Sequence, residues 1–290
     1  LDEGVETARA VVESFADMQA PAAPMAQTSD HAYGPAAEHQ LRIHRPSLEP
    51  GLPVVVYLHG GGFVGGSLTV ADEVVRDLAR RTGAIVVSAT YRRTPEHRFP
   101  SAHDDALAAL RWVHEHIGEH GGDPTRIALV GDSAGGNLAA ATALAATTSV
   151  PLTGLVLVYP LVSPTADTPS RQEFARGYVI GLDDLAWFGE QYATAADIGD
   201  QRLALDTVEP AELEKLPATL IVTNEMDTLR DEAERFADRL VAAGVDTTTV
   251  RSDGLAHGVF WMSLAVARSA EQREAVAGFL AKQLGVTRVD

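Results

Sequence analysis

The stretch Val130-Gly131-Asp132-Ser133-Ala134-Gly135-Gly136 constrains this chain more than any other. A short apolar run, Arg126 to Val130, precedes it, and Asn137-Leu138 with an alanine-rich tract follows, so the pattern changes from strand to helix across the serine. A serine flanked two residues away on each side by glycines at such a junction sits on a turn too tight for side chains at those glycine positions, and its hydroxyl is pushed out beyond the strand end. This is the pattern of a nucleophile elbow. G-x-S-x-G alone is a weak signal; the strand before it and the helix after it give it weight.

The rest of the chain supplies a sheet for that elbow. The runs 54–58, 84–88, 155–159 and 218–223 are nearly all apolar, as expected of parallel strands covered on both faces. Helical patterns over 70–80, 102–116 and 229–241 alternate with them, which predicts an α/β fold. Pro21, Pro24, Gly34 and Pro35 mark a loop, after which Leu41 to His44 alternates as an edge strand. Val5 to Met18 places Val5, Ala8, Val12, Phe15 and Ala16 on one helical face. The residues Tyr91 to His97 read as a polar loop, and a strand near 247–250 and a helix over 271–284 close the chain. The rhythm breaks from Leu161 to Pro217, which has no strand-like run but a helical stretch with Leu185, Trp187, Phe188 and Tyr192. That break reads as an insertion over the carboxyl edge of the sheet, within a single domain spanning 1–290.

Composition narrows the chemistry. A net charge of −17 argues against nucleic acid or anionic membrane as a partner held by a basic surface. The chain has no cysteine, which rules out disulfides, thiolate metal sites and a cysteine nucleophile and is compatible with the reducing cytoplasm, the expected location. No apolar run has the length of a membrane span, and Leu1-Asp2-Glu3-Gly4 lacks the basic and apolar parts of a signal peptide.

A serine hydroxyl needs a base, and the base needs an acid to orient it. In hydrolases built on such an elbow the base follows the serine in sequence, and His257 is the only histidine after Ser133. Glu225 and Asp227 both follow the strand 218–223; position favours Asp227, which also suits the cap of the next helix, and Glu225 stays as the alternative. Gly61 and Gly62 after the strand 54–58, with the amide of Ala134, would make a three-donor oxyanion hole, and His59 would brace that loop. No cofactor or metal is expected. Gly60 to Gly65 also satisfies G-x-G-x-x-G, with Arg92 and Arg93 after the next strand, but Ser67-Leu68-Thr69 intervene before the helix that a dinucleotide fingerprint should open directly. His116 and His120 are spaced for a metal, but Gly118 lies between them and the companion glutamate of H-E-x-x-H is missing, so they read as a solvated pair.

His59-Gly60-Gly61-Gly62, Gly131-Asp132-Ser133-Ala134-Gly135, Tyr91-Arg92 with Pro95-Glu96-His97, and Asp227 with Leu229-Arg230-Asp231-Glu232 together resemble the bacterial hormone-sensitive lipase family of α/β-hydrolase esterases. The match also takes in Gly177-Tyr178 and Trp187-Phe188. The resemblance implies an eight-stranded, mostly parallel sheet with a cap formed by about 1–40 and 161–206. It implies a cofactor-free carboxylesterase acting on short to medium acyl esters of small molecules, with Ser133, Asp227 and His257 as the triad and Gly61, Gly62 and Ala134 as the oxyanion hole. Thr228 stands where the family usually has proline, and Leu255-Ala256 where a bulkier pair is common. Phe63, Tyr178, Trp187 and Phe188, with Phe15, are the candidate pocket walls. Other acyl transfers on the same triad (amidase, lactonase, peptidase) remain open, as does a non-catalytic ligand-binding role like that of a plant hormone receptor with this fold. A homodimer is compatible with the sequence.

Overall fold

Strands that are apolar on both faces need cover on both faces, and the arrangement of helices follows from that requirement. The fold is given by a computed structural model that describes residues 4–286; the readings of Leu1, Asp2 and Glu3, and the first residues of the expected cap, lie outside the described residues. Helix α1 (Val5–Glu13) runs into a 3-10 turn (Ser14–Met18), followed by β1 (Gln27–Ala32), β2 (Gln40–Arg45) and β3 (Leu52–Leu58). Then come α2 (Leu68–Thr82), β4 (Ile85–Ala89), α3 (Ser101–His116), β5 (Gly122–Asp132), α4 (Ala134–Ala146) and β6 (Leu152–Val158). The insertion carries α5 (Pro169–Glu173), α6 (Leu182–Tyr192) and α7 (Pro210–Leu213). The chain continues with β7 (Thr219–Met226), α8 (Arg230–Ala242), β8 (Thr247–Ala256) and α9 (Ser269–Leu284).

The described strands form one eight-stranded sheet in the order β1-β2-β4-β3-β5-β6-β7-β8. β2 pairs antiparallel with β1 and β4, and the remaining pairs are parallel. The two-residue period of β3 shows how the layers form: Val54, Val56 and Leu58 join the core under α3, α4 and α8. Val55 and Tyr57 join the core under α2 and α9 on the other face. α2 starts where Ser67 Oγ accepts the N–H groups of Thr69 and Val70, each at 3.2 Å, and stops at left-handed Gly83. Arg273 of α9 forms a buried two-point ion pair with Glu73 of α2, both bonds at 2.7 Å, and also donates to Phe260 O. That pair ties the loop after β8 to the helices behind the sheet. No helix among the described residues is long and apolar enough to cross a membrane.

Three sequence expectations are corrected. The edge strand is β1, and β2, with Leu41 and Ile43 fully buried, lies one place in. β1 reads Gln-Thr-Ser-Asp-His-Ala, with no large apolar residue, because an edge strand needs only its backbone pairing and the Arg42–Asp30 contact at 2.6 Å. β8 runs six residues beyond Val250, through Arg251-Ser252-Asp253-Gly254, since its outer side faces solvent and the pattern need not be apolar. Tyr91 and Thr94, read as part of a polar loop, are fully buried.

Candidate active site

The elbow is built by glycines that nothing larger can replace. A Cβ on Gly131 would lie 2.0 Å from Gly135 O, and one on Gly135 would lie 2.1 Å from Leu58 O. Ser133 between them is held at φ 55°, ψ −121°, outside the region that ordinary residues prefer, so its hydroxyl stands at the head of α4 above the sheet edge. β8 ends at Ala256, and His257 follows directly before left-handed Gly258 turns the chain. Asp227 follows the end of β7, beside β8. These three strand ends meet.

His257 Nε2 lies 2.9 Å from Ser133 Oγ, and His257 Nδ1 lies 2.8 Å from Asp227 Oδ2. Asp227, 1% exposed, also accepts the Leu229 N–H at 2.9 Å through Oδ1, so it serves the head of α8 and the imidazole at once. A carboxylate that accepts Nδ1–H leaves Nε2 as the lone-pair nitrogen facing the hydroxyl. The Tyr159 ring packs 4.5 Å from the imidazole. Glu225 is exposed, and its carboxylate accepts the Gly254 N–H at 2.6 Å instead of reaching His257.

The loop after β3 brings Gly61 (φ 112°) and Gly62 (φ 62°) beside the elbow. Among the described residues the N–H groups of Gly61, Gly62 and Ala134 donate to no protein acceptor. His59 is buried below them, donating from Nδ1 to Gly60 O at 2.7 Å and stacking on Tyr91 at 4.6 Å. Burial pushes its pKa down to about 4, so the ring is neutral. Arg9 of α1 donates to Val64 O at 3.0 Å and pairs with Glu96 at 2.6 Å, which holds the N-terminal helix against this loop.

Two cavities of 410 and 280 Å³ open at Ser133 and share Gly62, Ile180 and Phe188. The larger runs under α6 past Phe63, Leu161, Leu185 and Leu203. The smaller is walled by His257, Tyr159, Trp261 and the α1 side, including Phe15. Phe188 separates them, with its ring where a Cβ on Gly62 would stand, 2.3 Å from that point. Phe63 stacks on Tyr192 at 3.9 Å. Tyr178 and Trp187, expected as walls, line neither cavity: Tyr178 is 41% exposed against Phe174, and Trp187 packs edge-on against Phe188. Ile180, Leu161 and Tyr159 took their place. The carboxyl end of α6 is anchored by Arg98 Nε to Gln191 O (2.9 Å), by Thr94 Oγ1 to the same carbonyl, and by buried His103 to the Tyr192 hydroxyl (2.7 Å). α5 is pinned to α8 where Arg171 Nε donates to Glu232 at 2.8 Å.

The other sequence candidates are otherwise engaged. Arg92 forks onto Asp105, Arg93 donates to Gly66 O, and α2 begins only at Leu68. His116 donates to Trp112 O and stacks on that ring, while His120 lies beside His31. Among the described residues no three His, Cys, Asp or Glu side chains are grouped to hold a metal.

The family model described as alpha/beta hydrolase fold matches residues 55–261. The carboxylesterase NlhH of Mycobacterium tuberculosis is 41% identical over 230 residues, 78% of this chain and 72% of the relative. An ethyl acetate hydrolase of Pseudomonas putida is 38% identical, covering 75% and 70%. Among solved structures, an esterase of Pyrobaculum calidifontis superposes with a TM-score of 0.89 at 36% identity, over 98% of this chain and 95% of its own. The metagenomic carboxylesterase EstE1 gives 0.90 at 35%, over 98% and 97%.

Proposed function

The chain belongs to the alpha/beta hydrolase family, in its hormone-sensitive-lipase-like branch, and from that premise we propose that it is a serine carboxylesterase working through Ser133, His257 and Asp227. The observation that carries this reading is the pair of contacts at 2.9 and 2.8 Å that joins hydroxyl, imidazole and carboxylate. His257 Nε2 takes the Ser133 proton as Oγ attacks the ester carbonyl, and the imidazolium that forms is held by Asp227. The carbonyl oxygen becomes negative and is received by the free N–H groups of Gly61, Gly62 and Ala134; each such donor contributes about 2.7–4 kcal/mol to the transition state. His257 then gives its proton to the leaving alkoxide, and water repeats the sequence on the acyl-enzyme.

The leaving oxygen must face Nε2, which assigns the alcohol to the smaller, His257-lined cavity and the acyl chain to the larger, mainly apolar one under α6. Its 410 Å³ suits short to medium acyl groups. The cap in this reading is the segment through Met18 with 161–206, whereas 27–32 belongs to the sheet. The test is p-nitrophenyl butyrate turnover: Ser133→Ala should abolish it with the melting temperature preserved, and retained turnover would defeat the assignment. A matching anilide, cleaved as fast as the ester, would make the protein an amidase.

A further inference from the structure

The three N–H groups offered to the oxyanion come from two chain segments, Gly61 and Gly62 beyond β3 and Ala134 beyond β5. The strand pairing that aligns those segments ends at Leu58 with Gly131, three residues before Gly61 on one segment and three before Ala134 on the other. Something past the end of the ladder has to fix their mutual position, since oxyanion donors act over 2.7–3.1 Å. We propose that Asp132, the residue before the nucleophile, is a positioning residue whose carboxylate clasps the oxyanion loop to the elbow. The proposal rests on the esterase reading and adds a role that the triad does not include.

Asp132 Oδ1 accepts the Gly60 N–H at 3.0 Å and the Tyr57 hydroxyl at 2.6 Å. The Tyr57 oxygen in turn accepts Trp261 Nε1–H at 3.0 Å, and Trp261 lies four residues beyond His257. One chain of hydrogen bonds therefore joins the histidine loop, β3, the elbow and the oxyanion loop. The packing is equally direct: a Cβ on Gly60 would lie 2.5 Å from Asp132 Oδ2 and 3.1 Å from Ser133 Cβ, so the loop rests on the elbow with nothing between.

The choice of a carboxylate is costly. Asp132 is 3% exposed and is stabilised by the Tyr57 hydroxyl, the Gly60 N–H and the field of His257 rather than by a guanidinium or ammonium group. Burial pushes its carboxyl up to about 6, the mark of a charge held against its own desolvation. A group kept at such a position beside a nucleophile points to a task in the reaction.

The test compares kcat and KM for p-nitrophenyl butyrate with the inhibition constant of an alkyl boronic acid, whose serine adduct places an oxygen in the same hole. Asp132→Ala should lower kcat about 10- to 100-fold, short of the about 10²–10³ for deleting a donor because the amides persist, and weaken the boronic acid by a like factor with KM within about threefold. Asp132→Asn should recover most of that loss, because its amide oxygen accepts the same two bonds. A folded Asp132→Ala enzyme with kcat within about twofold of the parent overturns the proposal, as does an Asp132→Asn variant as slow as the alanine one. If Asp132→Ala does not fold, Tyr57→Phe decides: a loss of about 3- to 10-fold in kcat and boronic acid affinity at unchanged KM supports the clasp, and no loss refutes it. A parent protein without ester turnover would defeat the esterase reading itself, whereas an active parent matched by an equally active alanine variant defeats the clasp alone.

Discussion

Replacing Asp227 with asparagine puts the proposed relay under the sharpest chemical test, because shape is kept and only the direction of one proton contact changes. Asp227 faces two donors, His257 Nδ1–H at 2.8 Å and Leu229 N–H at 2.9 Å, and a carboxylate accepts both. Asparagine has one oxygen to offer. With that oxygen on Leu229, its NH2 group faces Nδ1 and drives the imidazole into the tautomer whose Nε2 carries the proton, so it cannot take one from Ser133. In the flipped orientation the imidazole is correct, but a buried N–H of α8 is left facing another donor, which costs about 1–3 kcal/mol. A cost of that size confines the competent form to roughly 1–15% of molecules at RT of about 0.6 kcal/mol, while a wrong tautomer throughout costs about 10⁴ in kcat. The expected fall in kcat therefore lies between about 7- and 10⁴-fold, with the helix cap and the melting temperature largely retained. Turnover of p-nitrophenyl butyrate with parallel thermal melts reads both quantities. A rate near that of the parent would refute the reasoning, and loss of activity in Glu225→Gln alongside it would move the acid to Glu225.

Phe188→Ala joins the two cavities, so the ratio of kcat/KM for octanoate over butyrate p-nitrophenyl esters should rise by at least about fivefold, within the 1–3 kcal/mol that pocket shape commands; an unchanged ratio would remove Phe188 as the divider. Gly131→Ala places a methyl 2.0 Å from Gly135 O and should open the elbow, lowering kcat more than about 100-fold together with the melting temperature; normal activity would show that the turn tolerates a side chain. The Asp132 carboxyl, raised from 3.8 to about 6, binds its proton more tightly in the folded protein, so its contribution to stability is present at low pH and falls away between those two values. Asp132→Asn removes that loss: its unfolding free energy relative to the parent should climb as pH rises from 4 to 7, toward a gain of about 3 kcal/mol read by denaturant melts, and a pH-independent difference would contradict the buried charge.

The parallel strands were legible because burial on both faces writes an apolar run into the sequence, as in Val54 to Leu58 and Leu155 to Val158. β1 and the outer half of β8 were not, because edge strands answer to backbone pairing and solvent, and Gln27–Ala32 carries no large apolar residue to mark it. Ser133, His257 and Asp227 could be picked out by order along the chain, and the structure brings the three together. The contacts of Tyr57 with Asp132 and Trp261 could not, since they join residues 75 and 204 positions apart with no spacing rule between them. The cavity walls divided in the same way: Phe188 lies one turn before buried Tyr192 on α6 and lines both cavities, while its neighbour Trp187 lines neither and packs edge-on against it. Aromatic residues in an irregular segment announce packing, but which ones reach the cavity depends on where α6 is anchored.

The central claim is that Ser133 is the nucleophile, and covalent capture tests it most directly. After incubation with an alkyl fluorophosphonate, intact-mass and peptide mass spectrometry should find one adduct, on the peptide carrying Ser133, formed in step with loss of ester turnover and absent from Ser133→Ala. Full loss of turnover with the adduct on another residue, or undiminished turnover by a protein labelled at Ser133, would contradict the account.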